Sequence, residues 1–319
     1  MGYSSEVYRK AQLLLEERRR RAEQEAKLRK AEIYAKVPEV EALEKELSRN
    51  MVTLSLSVLK GGADALSVLR QRNEAAREKI GTLLAENGFS PDALEPQYTC
   101  PKCEDTGRVN STLCSCYKEA CRMMAREELE KNSGAAGCSF DNFRLDVYPT
   151  EPNKLGKVPR NKMAINLNYC IDYADNFSMK SPSLLFVGRT GLGKTHLSLA
   201  IAKAVLEKGY GVVYQTSQRL VNDLEKEQFS NTGSDTLRKK YAECDLLIID
   251  DLGAEFSTSF TVAALGNLIN ERLFEGRPTI ISTNLATDEL TKRYSERTGS
   301  RLLGEYKLLY FLGNDLRTR

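Results

Sequence analysis

The apolar run Leu184-Leu185-Phe186-Val187 passes directly into Gly188-Arg189-Thr190-Gly191-Leu192-Gly193-Lys194-Thr195, and that into the helix-forming stretch His196–Lys208. No other segment narrows the fold so far. A strand, a G-x-x-x-x-G-K-T loop and a helix together make a phosphate cradle. The glycines let successive backbone N–H groups turn inward around an anion, and the helix N-terminus adds its positive dipole. A wholly apolar strand is buried on both faces, so the chain around it must supply a parallel sheet covered by helices. From about Pro149 onward it does so, alternating helical stretches with strand candidates at Val212–Gln215, Leu246–Asp250, Thr279–Ser282 and Leu308–Leu312. The expected class is α/β.

The loop implies a nucleotide. Gly188, Thr190, Gly191 and Gly193 are expected to wrap its phosphates, Lys194 to reach the β and γ phosphates, and the Thr195 hydroxyl to ligate Mg²⁺. His196 is the only histidine in the chain. It lies against the nucleotide site one place past Thr195, where packing or a hydrogen bond beneath the loop suits it better than chemistry. The strand Leu246-Leu247-Ile248-Ile249 ends in Asp250-Asp251. Two carboxylates at a strand tip that follows a phosphate loop point to Asp250 as the orienter of Mg²⁺ and Asp251 as the group that polarises an attacking water. The next strand ends in Ser282-Thr283-Asn284, and Asn284 is expected to hold that water near the γ-phosphate. These residues imply ATP hydrolysis. A small-molecule kinase would need an acceptor pocket and a lid, for which no segment is evident.

A second chemistry precedes the sheet. Cys100-x-x-Cys103 and Cys114-x-Cys116 are separated by ten residues that include Gly107. Two chelating pairs on a short loop give four thiolates, which suits a closed tetrahedral Zn²⁺ site with a structural role. A redox C-x-x-C would leave the second pair unexplained, an iron–sulfur site is a competing reading, and Cys121 could replace Cys116. Cys138, Cys170 and Cys244 read as isolated thiols.

Composition adds boundaries. Of 319 residues, 41% are hydrophobic and 29% charged, and 47 Lys and Arg against 44 Asp and Glu leave a net charge of +3. That is ordinary globular composition and excludes no partner class, since nucleic acid needs only a local basic face. No apolar run approaches the roughly 20 residues that span a bilayer, so no membrane is expected. The Glu- and Arg-rich start is neither a signal nor a transit peptide, which points to the cytoplasm and away from disulfides. Residues 1–98 read as helices broken at Pro38 and Gly61-Gly62, the last ending at Gly88, with Val40, Leu43 and Leu47, then Leu66, Leu69, Ile80 and Leu83, at helical spacing. Arg18–Arg21 is flanked by Glu on both sides and reads as a solvated face. Residues 99–131 form the knuckle and a following helix, 132–149 a Gly-, Ser- and Asn-containing linker, and 150–319 the nucleotide domain.

From about Tyr98 to the C-terminus the sequence resembles the DnaC/DnaI-type bacterial replicative helicase loaders and their relative, the IstB transposition ATPase. The resemblance is carried by Cys100–Gly107 (C-P-K-C-x-D-T-G), Phe140-Asp141-Asn142-Phe143, Gly191–His196, Asp245–Gly253, Ser282-Thr283-Asn284, Ser300-Arg301-Leu302 and the closing Gly313-x-Asp315-x-Arg317. It implies an AAA+ sheet without a C-terminal helical lid, and self-association into a ring or spiral. It makes Arg301 an arginine finger acting on a neighbouring subunit's ATP, with Arg297 a second candidate. It also makes Arg317 a sensor of the bound nucleotide and places Phe140 and Phe143 beside the adenine. The implied partners are the hexamer of a DnaB-type replicative helicase, engaged through the zinc-bearing N-terminal part, and single-stranded DNA. Arg219, Lys226, Arg238, Lys239 and Lys240 offer cations for that DNA, interleaved with acids. The long N-terminal helices and the knuckle favour a loader over an IstB-like helper of a transposase.

Overall fold

The computed structural model describes residues 2–60, 63–134, 137–153, 156–229 and 235–316. They form two compact units: Gln12–Tyr117, and Met1–Ala11 together with Lys118–Arg319. This division differs from the boundaries expected at 98 and 150, for a physical reason. Tyr3 is buried and donates its hydroxyl to the Leu206 carbonyl at 3.3 Å, while Glu128 pairs with Lys240 at 2.7 Å. Within the stretch expected to be a linker, Tyr148 is 1% exposed and donates to the Leu192 carbonyl at 3.0 Å.

Helix α1 (Ser5–Lys36), whose first residues belong to the other unit, is followed in the Gln12–Tyr117 unit by α2 (Pro38–Lys60) and α3 (Ala63–Glu86). Pro38 stands at the first position of α2, where its missing N–H leaves no bond unmade. Gly88, at φ 77°, ends α3, and Phe89 N–H closes back on the Leu84 carbonyl at 2.9 Å. Ile33, Val37 and Val40 pack with Ile80, Leu84, Ala93 and Leu94, and Leu43, Leu47 and Leu83 flank them. These helices therefore dock on one another. Leu66 and the Gly61-Gly62 break lie outside the described side chains and residues. Within the basic run, Arg19 and Arg21 each bind a Glu four residues on, at 3.0 Å, as a solvated helix face does. Two short antiparallel strands, β1 (Arg108–Val109) and β2 (Thr112–Leu113), close the knuckle through Asn110 and Ser111, both at positive φ.

The other unit continues with α4 (Ser115–Ser133), which starts inside the first unit, and α5 (Pro159–Asp175). Then come β3 (Leu184–Val187), α6 (Lys194–Glu207), β4 (Val212–Thr216), α7 (Ser217–Phe229), α8 (Thr236–Glu243), β5 (Leu246–Leu252), α9 (Ser259–Phe274), β6 (Thr279–Thr283), α10 (Thr287–Gly304) and β7 (Lys307–Tyr310). The five long strands are all parallel, in the order β4-β5-β6-β3-β7. Every residue of β3 and β6 is buried, as the unbroken apolar run of β3 requires; β6 buries Thr279, Ser282 and Thr283 beside Ile280 and Ile281. β5 outruns its expected end at Asp250 by two residues, across an irregularity between Ile249 and Leu252.

One buried cation trims the sheet. Arg272 of α9, fully buried, donates to the carbonyls of Tyr241, Ala242, Cys244 and Pro278 and to the Thr279 hydroxyl, all within 3.0 Å. With its donors satisfied by backbone, the guanidinium fixes where β5 and β6 begin. Their far ends, and the loop after β3, are thereby held in register. Because β6 lies between β3 and β5, whatever follows β6 stands between the phosphate loop and the Asp250-Asp251 tip.

Candidate functional site

The loop leaves β3 at Gly188, where a Cβ would stand 2.6 Å from the Phe311 carbonyl oxygen, and enters α6 through Gly193 at φ 85°. Lys194 is 5% exposed, and its ammonium donates to the carbonyls of Gly188 and Arg189 at 2.7 Å each and to Asn284 Oδ1 at 2.6 Å. Thr195 donates its hydroxyl to Asp250 Oδ2 at 2.8 Å. Two more hydroxyls reach the same carboxylate: Tyr214 from β4 to Oδ2 at 2.7 Å, and Ser282 from β6 to Oδ1 at 2.5 Å. Asp250 is 3% exposed, and burying a charge is tolerable only with such donors around it. Burial first, then the neighbouring Asp250 carboxylate, pushes the Tyr214 phenol well above its ordinary range, so it remains a donor.

Asp251 sits at φ 55°, an uncommon conformation for a non-glycine residue. Its backbone N–H donates to Ser282 Oγ at 3.0 Å, and Asn284 Nδ2 stands 3.4 Å from its Oδ1. A cleft of about 240 Å³ is lined by residues 190–196 with Asp251, Asn284 and Leu316. Of the residues singled out in sequence, Thr190, Gly191, Gly193, Lys194, Thr195, His196, Asp251 and Asn284 thus share one wall, with Asp250 directly behind Thr195. His196 Nε2 lies 2.8 Å from the Ser139 carbonyl, and its ring meets Phe143 edge-on at 5.3 Å. Phe143 in turn stacks on Tyr148 at 5.9 Å, so the segment expected to be a linker forms the floor of the loop.

The arginines lie elsewhere. Arg301, on α10, is bonded to Asn270 of α9 and is not among the residues lining the cleft; Arg297 is exposed on the same helix. Arg317 lies outside the described residues. A connection that sequence reasoning missed runs from the Asp250-Asp251 tip to that helix. Glu255, 2% exposed, accepts from Gly253 N–H at 2.9 Å and from the Tyr294 hydroxyl, and its carboxylate is 3.7 Å from Arg293 Nε. Tyr294 and Ser295 form a kink in α10, so Glu255 holds α10 at its kink, just ahead of the half-helix that carries Arg297 and Arg301. Of the basic residues on α7 and α8, Arg238 pairs with Glu271 at 2.8 Å and Lys240 with Glu128, which leaves Arg219, Lys226 and Lys239 exposed.

In the Gln12–Tyr117 unit, the sulfurs of Cys100, Cys103, Cys114 and Cys116 all lie within 4.8 Å of one another. Cys100 and Cys114 are 3.8 Å apart, and Cys103 and Cys116 are 3.3 Å apart. Four thiolates about 2.3 Å from a tetrahedral zinc would stand roughly 3.8 Å from each other, so this set fits such an ion. Cys121 is not in the cluster. The turn that carries Cys100 is held by Asp105, a buried carboxylate that accepts the N–H groups of Thr99 at 2.8 Å and Cys100 at 3.0 Å. The backbone N–H of Cys116, with the neighbouring thiols, lowers the Cys114 thiol, while burial and the same thiols raise that of Cys116, so Cys114 is the first of the two to become a thiolate. Cys170 and Cys244 are buried, and burial raises both thiols, Cys170 to about 12. Among the described residues no helix is long and apolar enough to cross a membrane.

Residues 172–300 match the family model described as IstB-like ATP binding protein. The replicative helicase loader DnaC of Escherichia coli (strain K12) is 28% identical over 185 residues, 57% of this chain and 70% of its own length. The chromosomal replication initiator protein DnaA of Aliarcobacter butzleri is 37% identical over 135 residues, 42% of this chain and 28% of its own. Among solved structures, a crystal structure of the DnaC helicase loader aligns with 54% of this chain and 98% of its own, at 27% identity and a TM-score of 0.45.

Proposed function

We propose that the chain is an AAA+ ATP-binding protein of the DnaC/DnaI and IstB kind, and that it is an ATP-switched loader that delivers a DnaB-type replicative helicase onto single-stranded DNA. One observation carries the ATP-switch part of the reading: Lys194 bonded to Asn284, and Thr195 bonded to Asp250, join three separate sequence segments around a single cleft. Backbone N–H groups of residues 190–195 would hold the phosphates, with Gly188 opening the turn, and Lys194 would exchange its carbonyl partners for β and γ oxygens. Thr195 and Asp250 are the residues to hold Mg²⁺, which would neutralise charge on those oxygens. Asp251 orients and polarises the attacking water, and Asn284, within reach of both Lys194 and Asp251, keeps it near the γ-phosphate. His196 and Phe143 support the loop from below, with Phe140 nearby on the adenine side.

Arg301 acts in trans. Its place outside its own cleft supports this, as does the Glu255 contact that ties the α10 kink ahead of it to the loop after Asp251. An isolated protomer then binds ATP but turns it over slowly, and assembly into a ring or spiral accelerates hydrolysis. The Gln12–Tyr117 unit, with a zinc-held knuckle and its own helical core, is the part that engages the helicase hexamer. Arg219, Lys226 and Lys239 are the cations left to track a DNA backbone, so DNA affinity falls with salt.

An IstB-like role in DNA transposition is the second reading, favoured by the family match over 172–300. Co-purification of the full-length chain with the host's replicative helicase, in ATP and in ADP, separates the two. Nucleotide-dependent association supports the loader. No association in either state removes it and leaves the ATPase assignment standing.

A further inference from the structure

Of the three hydroxyls around Asp250, two belong to segments already discussed, Thr195 in the phosphate loop and Ser282 at the end of β6. The third, on Tyr214, comes from the neighbouring strand β4, which pairs in parallel with β5 through Thr216 and Asp250. A hydroxyl has one proton and two lone pairs. Thr195 gives its proton to Asp250 Oδ2, so its lone pairs are free to turn toward the cleft. That orientation lasts only while Oδ2 stays in place, and a carboxylate's last torsion is broad. Ser282 holds Oδ1 from the β6 side at 2.5 Å; Tyr214 holds Oδ2 from the β4 side at 2.7 Å through a buried, rigid ring. The two strands clamp the carboxylate between them.

We propose that Tyr214 is a positioning residue for the divalent cation: by fixing Asp250 Oδ2 it keeps the Thr195 lone pairs facing the metal, and so sets cation affinity rather than nucleotide affinity. The inference rests on the Mg²⁺–ATP reading above. The Tyr214 hydroxyl bonds the Asp250 carboxylate, not the backbone N–H groups that would meet the phosphates, so its loss is expected to act through the cation.

The test is full-length Tyr214→Phe, which removes one oxygen from an otherwise unchanged ring. Binding of a fluorescent ADP is titrated in chelator and then against Mg²⁺, with Mn²⁺ followed in parallel by its paramagnetic resonance. Losing a hydrogen bond to a charged group predicts a cation midpoint raised by about tenfold or more, with binding in chelator unchanged within about twofold. An unmoved midpoint overturns the proposal. So does an equal loss with and without cation, which is what a merely structural role would give. Should wild type itself show no cation-dependent binding, the reading of Thr195 and Asp250 falls and takes this inference with it. If the variant does not fold, 3-fluorotyrosine at position 214 keeps the shape and makes a stronger donor. A cation midpoint that it leaves unmoved is again a refutation.

Discussion

Gly193→Ala should damage the nucleotide unit in a way that separates backbone strain from packing. At φ 85° the new residue bears the left-handed conformation, which costs an L-residue about 1–2 kcal/mol. Its Cβ would also stand 2.8 Å from a Phe143 ring carbon and 2.9 Å from the Tyr148 hydroxyl oxygen, distances that force neighbours to move. Overpacking of that kind costs about 1–3 kcal/mol, so the total comes to about 2–5 kcal/mol. Gly209 supplies the control. It has φ 90° and nothing within 4 Å of a built Cβ, so Gly209→Ala bears only the conformational part. Any gain from a stiffer unfolded chain is common to both and cancels in the difference. Thermal unfolding by circular dichroism should place Gly193→Ala below Gly209→Ala by roughly 2–12 °C, taking about 2–4 °C per kcal/mol. Nucleotide affinity should fall in the first variant and not in the second. Equal melting temperatures would refute the claim that Phe143 and Tyr148 are packed under the loop.

Two further outcomes test other parts of the account. Cys103→Ser should lower bound zinc, measured by elemental analysis, from about one per chain to near zero, and destabilise the Gln12–Tyr117 unit far more than the nucleotide unit. Arg301→Ala should leave ATP affinity within about twofold while cutting turnover of the concentrated, assembled protein by about 10³-fold or more, the effect of removing a trans-acting arginine.

Much of the nucleotide unit is legible in the sequence because apolar runs that are buried on both faces announce themselves. β3, β4 and β6 begin where their patterns begin, and the glycine pattern places the loop between β3 and α6. The order of the strands is not written in any one of them. For that reason Tyr214 reads as just another residue of a strand until β4 is found beside β5. Glu255 and Arg272 are hidden for a related reason. A polar residue looks solvent-bound in sequence, and its burial depends on partners tens of residues away, such as Tyr294 for Glu255 and the Tyr241 and Cys244 carbonyls for Arg272. Residues 137–149 show the opposite case. Gly, Ser and Asn give a linker's composition, yet Phe143 and Tyr148 within it are buried beneath the loop while their neighbours stay exposed or half-buried. Helical periodicity likewise shows that the N-terminal helices have an apolar face, but not that Tyr3 belongs with α6 while Ile33 belongs with α3.

The central claim is that residues 188–195 enclose a nucleotide's phosphates with Asp250 behind their metal. Calorimetric titration of the full-length protein with ATP, with Mg²⁺ and in chelator, tests it directly when run beside Lys194→Ala. One site per chain is predicted, tighter with Mg²⁺ and weakened by about 10- to 150-fold in the variant, the worth of a hydrogen bond to a charged group. Binding that ignores both the cation and the loss of the Lys194 ammonium would contradict it.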